Sequence, residues 1–428
     1  MSASKVFSLK GKGLKLTTAE DIEPHLKELR ENNDVETVEF LGNTIGIGAS
    51  EALAKVLETK KKLQVANFAD VFTGRLLSEI PTALSHLLTS LLTLPNLYTI
   101  DLSDNAFGLN TQAPLVDFLS QHVPLRHLIL NNNGLGPAAG VLVADALTSL
   151  AEKKEAAKKE GKEVPDLETV ICGRNRLENG SMAAWAKAYA AHNKVKKVKM
   201  VQNGIRQEGI THLLTNGLSH ATTIQVLDLQ DNTFTAMGAK ALSNVVGNWT
   251  VIQELGVGDC LLSGRGGIAL AAALAKGNNA KLEVLRLQFN EINAKGIAGL
   301  AAAHEKLPAL RRIELNGNKF EGEDPSIKTL RDVLEKRKDT AGDGVGEDDD
   351  EYWGLDELDE LESDDEDEDD DDEEAKAGSD DEEEGVEVEE KAARELINAD
   401  SAEAQNVAQD KDPKVDDLAD QLSKTQIK

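Results

Sequence analysis

Apolar residues recur in one register along most of the chain. The register apolar-x-x-apolar-x-apolar-x-x-Asn matches ten times, beginning at Val35, Leu63, Leu97, Leu125, Leu167, Val195, Ile224, Ile252, Leu282 and Leu310. We number these matches as repeats one to ten. Successive matches lie about 28 residues apart, except for two longer steps. All thirty apolar slots hold apolar residues in a chain that is only 40% apolar, so the register marks an internal repeat.

Each repeat predicts a short strand followed by a turn. Apolar residues at alternate positions, such as Leu128 and Leu130, would face a core on one side of a strand. At the ninth position (the ladder position), an Asn amide can pair backbone groups that the turn leaves free. The ladder position holds Asn43, Asn105, Asn133, Asn175, Asn203, Asn232, Asn290 and Asn318. In the other two repeats Cys260 is a weaker donor and Val71 is no donor, so an irregular second repeat is expected.

A helix is predicted after each ladder position. In repeat four, the small residues Gly134 to Pro137 precede a helical stretch from Ala138 to Lys153, and proline suits a first helical turn. The expected fold class is α/β, a leucine-rich repeat horseshoe (a solenoid) of about ten to eleven repeats. Its parallel strands would line the concave side and its helices the convex side. A charged insertion, Ala151 to Asp166, is placed on the surface.

The repeats define the domain organisation. Residues 1–34 are predicted to form an N-terminal cap or first repeat, because they precede the first match. Residues 35–340 form the leucine-rich repeat domain, with Glu321 to Lys338 as its terminal helix. Residues 341–390 are predicted to be an acidic disordered tail, and residues 391–428 a C-terminal extension with some helix.

Most of the formal net charge of -29 lies in one segment. Between Glu347 and Glu390 the sequence has 29 Asp or Glu residues and a single base, Lys376, whereas residues 1–346 are nearly neutral. Such a block repels itself and predicts an extended, solvated tail. It disfavours nucleic acid as a partner, because phosphates are also negative. A basic protein partner and a purely solubilising role both remain open.

Several function classes are excluded by what the sequence lacks. Its apolar stretches fall short of a membrane span, and Met1 to Leu16 contain no continuous apolar signal region, so a cytoplasmic protein without a membrane partner is expected. Two cysteines, Cys172 and Cys260, are too few for a disulfide framework or a zinc cluster. Enzyme motifs and histidines at metal-ligand spacing are absent. The lack of these motifs therefore favours a binding protein over an enzyme.

The residue before each ladder position is a candidate binding site. This set, the exit row, lies where each predicted strand ends and comprises Gly42, Asp70, Asp104, Asn132, Arg174, Gln202, Asp231, Asp259, Phe289 and Gly317. Asn132 has no predicted role in the core or the ladder, unlike its neighbour Asn133. Repeat proteins bind partners along such ridges, although an ordinary solvated edge is the alternative.

Five motifs resemble those of the Ran GTPase-activating proteins, in particular the short fungal form. They are DVFTGR at 70–75, LSDNAFG at 102–108, NNGLGP at 132–137, GRNRLENG at 173–180 and DLQDN at 228–232. The resemblance, together with the acidic tail, covers about the whole chain. It implies an activator, not itself an enzyme, that binds Ran in its GTP form, accelerates hydrolysis of that GTP and supports nucleocytoplasmic transport.

The resemblance also implies partners, cofactors and location. GTP and Mg²⁺ would be bound by Ran, so no cofactor or metal of the chain's own is expected. An accessory Ran-binding protein is a further candidate partner, and the acidic tail is expected to assist association with Ran electrostatically. Animal members carry a further domain that anchors them at the nuclear pore. This chain ends soon after its acidic block, so we expect a freely diffusing cytoplasmic monomer, although a weak dimer is not distinguished.

Site residues follow residue by residue from the resemblance. Asn132 matches the residue thought to hold the catalytic glutamine of the GTPase, in a family understood to work without an arginine finger. Arg75 would suggest such a finger on chemistry alone, but it matches a residue of the binding surface. The expected partner-binding residues are Arg75, Arg176 and Asp231 from the family, and Asp104 and Arg174 from the exit row.

Two alternatives remain at this point. The first is a non-catalytic leucine-rich repeat binder, either similar to ribonuclease inhibitor or an acidic histone-binding protein, although the latter have fewer and shorter repeats. The second is a scaffold that binds the GTPase without accelerating its reaction. Hydrolysis by Ran, measured with and without the protein, separates both from the activator.

Overall fold

Short strands alternate with helices in the computed structural model, which describes residues 4–341 and 352–362. The strands β1 to β14 are Val6–Ser8, Lys15–Leu16, Thr37–Glu39, Thr44–Ile45, Val65–Asn67, Thr99–Asp101, His127–Ile129, Thr169–Ile171, Lys197–Lys199, Val226–Asp228, Glu254–Gly256, Val284–Arg286, Arg312–Glu314 and Gly354–Leu355. The α-helices α1 to α11 are Ala19–Glu31, Ile47–Leu57, Ile80–Leu92, Gln112–Leu119, Gly136–Lys159, Met182–Ala191, Gln207–Asn216, Thr235–Val245, Ser263–Leu274, Ala294–Ala303 and Pro325–Ala341. Short 3-10 helices are Leu109–Thr111, Asn179–Ser181, Leu218–His220, Val246–Asn248 and His304–Lys306.

Strands of successive repeats pair in parallel. They form one 12-stranded sheet in the order β1-β3-β5-β6-β7-β8-β9-β10-β11-β12-β13-β14, and β2 pairs with β4 separately. Equivalent residues pair directly, for example His127 with Thr169, because every repeat crosses the sheet in the same register. The sheet does not close, since β1 and β14 stand at its two ends. The predicted leucine-rich repeat fold, with a parallel sheet and a helix in nearly every repeat, is therefore confirmed.

The core lies between the sheet and the helices. In repeat four, Leu125, Leu128 and Leu130 are fully buried, as are Ala139 and Val143 of α5. Each fully buried large aliphatic side chain contributes about 1.5–3 kcal/mol relative to an exposed one. Because these side chains fill the interior of each repeat, the residues that follow each strand are not needed in the core and can face outward.

The ladder asparagines of repeats three to seven form an unbroken chain of hydrogen bonds, as predicted. The side chain of Asn133 donates to the carbonyls of Leu102 and Asn131, at 3.1 and 3.0 Å. Its Oδ1 accepts from the backbone N–H of Asn105 at 2.9 Å. The backbone N–H of Asn133 in turn donates to Oδ1 of Asn175 at 3.0 Å. Each amide thus joins its own turn to the neighbouring repeat.

The two exceptions behave as their chemistry requires. The Cys260 thiol donates only weak bonds, to the carbonyls of Gly258 and Leu229 at 3.3 and 3.5 Å. In repeat two, the helix begins at Ile80, farther beyond its ladder position, Val71, than the helix of any other repeat. The predicted irregularity of repeat two is confirmed.

The charged insertion differs from its prediction. Helix α5 runs from Gly136 to Lys159 and takes in the first half of the insertion. Lys154 is only 2% exposed and donates to the carbonyls of Val123, Leu125 and Pro165. Burial lowers the pKa of Lys154 to about 7. The surface placement is therefore wrong for Lys154, because its side chain donates to carbonyls of the two loops that precede β7 and β8.

Residues 352–362 also differ from their prediction as part of a disordered tail. Strand β14 pairs with β13, and Asp356 accepts hydrogen bonds from the backbone N–H groups of Leu315 and Asn316 at 2.8 and 2.9 Å. These contacts pair backbone groups that the edge of β13 would otherwise leave unsatisfied. Residues 363–428, which hold most of the predicted tail and the C-terminal extension, lie outside the described residues.

Apolar residues within the acidic block account for this difference. Leu355, Leu358 and Leu361 are partly buried and pack against the core. Charge density alone predicts a solvated segment, but apolar side chains at these positions can cover the end of the solenoid.

Both ends of the repeat domain are described. At the N-terminal side, β1 extends the sheet beside β3 and is followed by α1. At the other side, α11 begins four residues later and ends three residues later than the predicted helix Glu321 to Lys338. Among the described residues, none of the helices combines the length and the apolar character needed to cross a bilayer.

Candidate functional site

The exit row shares one unusual backbone conformation. All ten residues have a positive φ, from 47° at Asp70 to 74° at Gly42, so the chain makes the same left-handed turn after every strand. Seven of the ten are Asp, Asn or Gly, the types that adopt this region most readily. The polar character of the row therefore has partly a backbone cause. Asn132, with φ 51°, has an architectural role that the sequence analysis did not assign to it.

Two predicted site residues are in direct contact. Nδ2 of Asn132 donates to Oδ1 of Asp104, on the preceding repeat, at 2.8 Å, and both residues are exposed. An ionised carboxylate only accepts hydrogen bonds, so the Asn132 atom facing it is the nitrogen. Asp104 thereby sets the amide orientation and leaves Oδ1 of Asn132 as the acceptor available to a partner.

The backbone on either side of Asn132 is held firmly. Its N–H donates to the carbonyl of Gly173 at 2.9 Å, and Oδ1 of Asn131 accepts from the N–H of Gly173 at 2.7 Å. On the other side Asn133 is fixed in the ladder. Three consecutive asparagines thus have three tasks, and only the side chain of Asn132 points outward from this rigid base.

Arg75 is tied to the N-terminal part of the chain. Its Nε donates to Oγ1 of Thr44 at 2.8 Å, Nη2 to the Thr44 carbonyl at 3.0 Å, and Nη1 to Oγ1 of Thr17 at 2.9 Å. The residue is half-buried. A Cβ added to Gly46 would lie 3.1 Å from Nη1, so the guanidinium lies close to the chain at Gly46. Reaching into another protein would break these bonds.

Arg174 and Arg176 adopt the left-handed region although arginine has no preference for it. Both have φ 55°, and both are exposed. Within residues 4–341 and 352–362, neither guanidinium makes a hydrogen bond to the chain. Gln202, in the exit row of repeat six, shares the same conformation with φ 54° and is also exposed. The sequence analysis placed Gln202 in the exit row but did not include it among the expected partner-binding residues, although an exit-row residue other than Asp, Asn or Gly was a readable signal.

Beyond the arginines the exit row becomes acidic. Burial and a hydrogen bond with Asp259 raise the pKa of Asp231, and the charge of Arg174 opposes this rise. Asp228, at the end of β10, is paired with Lys199 at 3.2 Å. The edge of the sheet therefore presents a basic centre at repeat five with acidic residues on both sides.

The candidate residues occupy one edge of the sheet. Repeats two, three, four, five and seven contribute Arg75, Asp104, Asn132, the two arginines at 174 and 176, and Asp231. The structure brings Asp104 and Asn132 into contact and places Arg174 near Asp231, whereas Arg75 is engaged with other residues. The site is an open ridge, which suits a protein partner better than a small molecule.

Other reactive groups do not contribute to this site. Burial raises the pKa of the Cys172 and Cys260 thiols to about 12 in each case, so neither is a nucleophile at neutral pH. A cavity lined by Lys154, Asp166 and His192 lies at the start of the strands rather than at their exit. Among the described residues, no group of three or more His, Cys, Asp or Glu is arranged to hold a metal ion.

Comparison with known proteins places these features in context. A leucine-rich repeat family model matches residues 220–243 and 278–301. The chain is 41% identical to Ran GTPase-activating protein 1 of Saccharomyces cerevisiae over 336 residues, which cover 76% of this chain and 81% of the yeast protein. It is 41% identical to Ran GTPase-activating protein 1 of Xenopus laevis over 202 residues, covering 46% of this chain and 34% of that protein. Among solved structures, an internalin of Listeria monocytogenes aligns with a TM-score of 0.37 and 15% identity, over 76% of this chain and 84% of that chain.

Proposed function

The chain belongs to the Ran GTPase-activating protein family, and from this membership we propose that it binds Ran in its GTP form and stimulates hydrolysis of the bound nucleotide. GTP and Mg²⁺ are held by Ran, and this chain contributes no cofactor. The observation that carries the proposal is the Asn132 amide, which is exposed on a rigid turn and oriented by Asp104 at 2.8 Å.

In the proposed mechanism, Asn132 positions the catalytic glutamine of Ran, whereas an arginine finger would stabilise the negative charge on the phosphates. Small GTPases hydrolyse GTP slowly, and a glutamine of the GTPase orients the attacking water. Oδ1 of Asn132 accepts a hydrogen bond from the side-chain NH₂ of that glutamine, which fixes the rotation of the glutamine amide. The side-chain carbonyl oxygen of the glutamine then points at the attacking water and accepts a hydrogen bond from one of its O–H groups. Holding one reacting group in place in this way lowers the barrier without a new charge.

The contacts of Arg75 support this mechanism over an arginine finger. The guanidinium uses Nε, Nη1 and Nη2 on Thr17 and Thr44. Extending it to a phosphate would exchange three hydrogen bonds, each with a net value of about 1.5–3 kcal/mol for a charged donor, for new ones. We propose instead that Arg75, in the position where Thr17 and Thr44 hold it, forms part of the surface that contacts Ran. Arg174, Arg176 and Asp231 contribute further contacts, with Arg174 and Arg176 meeting acidic side chains of Ran.

A single-turnover assay tests the proposed function. Ran is loaded with GTP, and phosphate release is followed with and without a catalytic amount of this protein. We expect the rate to rise by several orders of magnitude, within the range that activators of small GTPases reach. An unchanged rate, accompanied by binding of Ran in its GTP form, would identify a scaffold. An unchanged rate without binding would favour a non-catalytic binder of other proteins.

Substitution of Asp104 tests whether it orients Asn132. Asp104→Gly removes the carboxylate without straining the left-handed turn at φ 61°. The freed Asn132 amide samples both orientations, so we expect kcat of the stimulated reaction to fall about tenfold with little change in KM. Asp104→Asn, the matched control, keeps an acceptor and the turn, and should retain most of the activity. Equal kcat values for the two variants would show that the contact at 2.8 Å has no orienting role.

A further inference from the structure

Phe289 stands out in the exit row because its side chain does not suit its conformation. It has φ 54° in repeat nine, where most other repeats have Asp, Asn or Gly. An aromatic residue is poorly suited to this region, and conformational outliers that persist often mark functional positions. The ring is 42% exposed, although the interior of the same repeat is already filled by Leu282, Leu285 and Leu287, each fully buried. Packing of the core therefore does not account for Phe289.

The next repeat is adapted to this ring. A Cβ added to Gly317 would lie 2.0 Å from Cδ1 of Phe289, so only glycine fits below the ring. The ring lies against Gly317, and part of the residue is exposed to solvent. The chain thus holds an aromatic side chain in a defined position on the surface.

A second exposed apolar side chain lies on the adjacent repeat. Leu261 directly follows the ladder position Cys260, is 47% exposed and has φ 55°. Repeats four and six have glycine at the equivalent position, Gly134 and Gly204. None of the other exposed large apolar residues in the described part of the chain has a positive φ. Ile268, for example, is 40% exposed and lies within α9, as is usual for scattered surface residues.

The surroundings of this pair are mostly acidic. Asp259 and Glu291 are exposed on the same two repeats, and Glu291 is only loosely paired with Lys319 at 3.7 Å. Asp231 lies one repeat away and interacts with Asp259. An apolar centre bordered by negative charge complements a partner surface with an apolar side chain bordered by lysine or arginine.

We infer that Phe289 and Leu261 form a second contact patch for Ran, on the same edge as Asn132. This inference rests on the proposed function. Repeat nine lies five strands beyond repeat four, and parallel strands are spaced about 4.8 Å apart, so the patch lies roughly 24 Å from Asn132. This span is within the diameter of a small globular domain, about 30 Å, so one partner reaches both places. The patch strengthens the binding of Ran, while Asn132 positions the catalytic glutamine of Ran.

The test compares steady-state kinetics of stimulated hydrolysis, with Ran in its GTP form as the substrate. For Phe289→Asn and for Leu261→Ala we expect KM to rise about tenfold with kcat unchanged, because a buried apolar anchor of an interface is lost. Ile268→Ala removes a similarly exposed apolar side chain and should leave both constants unchanged.

Thermal melting separates this role from a structural one. Asn adopts a φ of 54° more readily than Phe does, so Phe289→Asn should keep or raise the melting temperature while it weakens binding of Ran. A lower melting temperature, or an unchanged KM, would overturn the inference. Wild-type protein and an Asn132 variant are assayed in parallel. If the wild type fails to stimulate Ran, the proposed function itself is wrong. If the wild type stimulates Ran and the Phe289 and Leu261 variants do so equally well, only the inference of a second contact patch is wrong.

Discussion

Replacing Asn132 by glycine is expected to lower kcat of the stimulated reaction by about 100-fold, the usual effect of losing a positioning contact near the reacting atoms. Glycine removes the amide and leaves the left-handed turn unstrained at φ 51°. The hydrogen bond with Asp104 is also lost, but it lies on the surface and contributes little to folding. Single-turnover phosphate release at saturating concentrations of the protein measures the effect.

Asn132→Ala is the companion variant and separates the amide from the turn. Alanine should lose activity to the same extent, but it should also lower the free energy of unfolding by about 1 kcal/mol, because alanine is strained in the left-handed region. Asn132→Asp keeps the turn and the shape, but it places a second carboxylate beside Asp104 and removes the donor that faces it. We expect it to be inactive and folded. A glycine variant that stimulates Ran as well as the wild type does would refute the proposed mechanism.

The strands and the ladder could be predicted from the sequence because their physics is local. Burial of one face requires apolar residues at alternate positions, so triplets such as Leu125, Leu128 and Leu130 locate a strand without any knowledge of its neighbours. A buried Asn must find backbone partners, which explains why the ladder at Asn133 could be predicted from its spacing alone. The same reasoning predicted a weak bond at Cys260.

Contacts between distant residues could not be predicted in the same way. Asn132 and Asp104 are 28 residues apart, and Arg75 and Thr17 are 58 apart, so these side chains meet only after the repeats have stacked. Strand β14 was missed for a different reason. The segment around β14 is mostly acidic, which predicts a solvated chain. Leu355 can pack there only because the edge of β13 is open, and the sequence alone does not show that edge.

Every repeat makes the same turn at the exit row, so the residues there can contact a partner without taking part in the core. Eight of the ten repeats present a side chain from the exit row at the same backbone conformation, while the ladder and the buried triplet hold the repeat together. Substitutions at the exit row therefore change the partner surface with small effects on the core. Residues that fit the turn poorly, such as Arg174 and Phe289, are the best candidates for selection by a partner, because the fold alone favours Asp, Asn or Gly there.

Asn133→Ala should have the opposite signature to the Asn132 variants. It removes the donor to the Leu102 and Asn131 carbonyls and the acceptor for the Asn105 N–H, all of them in the buried ladder. An unsatisfied buried polar group costs about 1–3 kcal/mol, so we expect the free energy of unfolding to fall by about 3 kcal/mol. Urea denaturation, followed by circular dichroism, measures this loss as a lower midpoint.

Cys260→Ala is the matched control for Asn133→Ala, because Cys260 occupies the same ladder position with weak bonds of 3.3 and 3.5 Å. Its loss should be less than about 1 kcal/mol. Repeats are stabilised mainly by their neighbours, so the Asn133 defect should weaken the interface of repeat four with repeat three, whereas the backbone bond to Asn175 of repeat five remains. Where the Asn133 variant is still folded, its turn still presents Asn132, and stimulation of Ran should persist. An unchanged urea midpoint would contradict the ladder as a source of stability, even though the side-chain bonds of Asn133, at 2.9, 3.1 and 3.0 Å, have the distances of good hydrogen bonds.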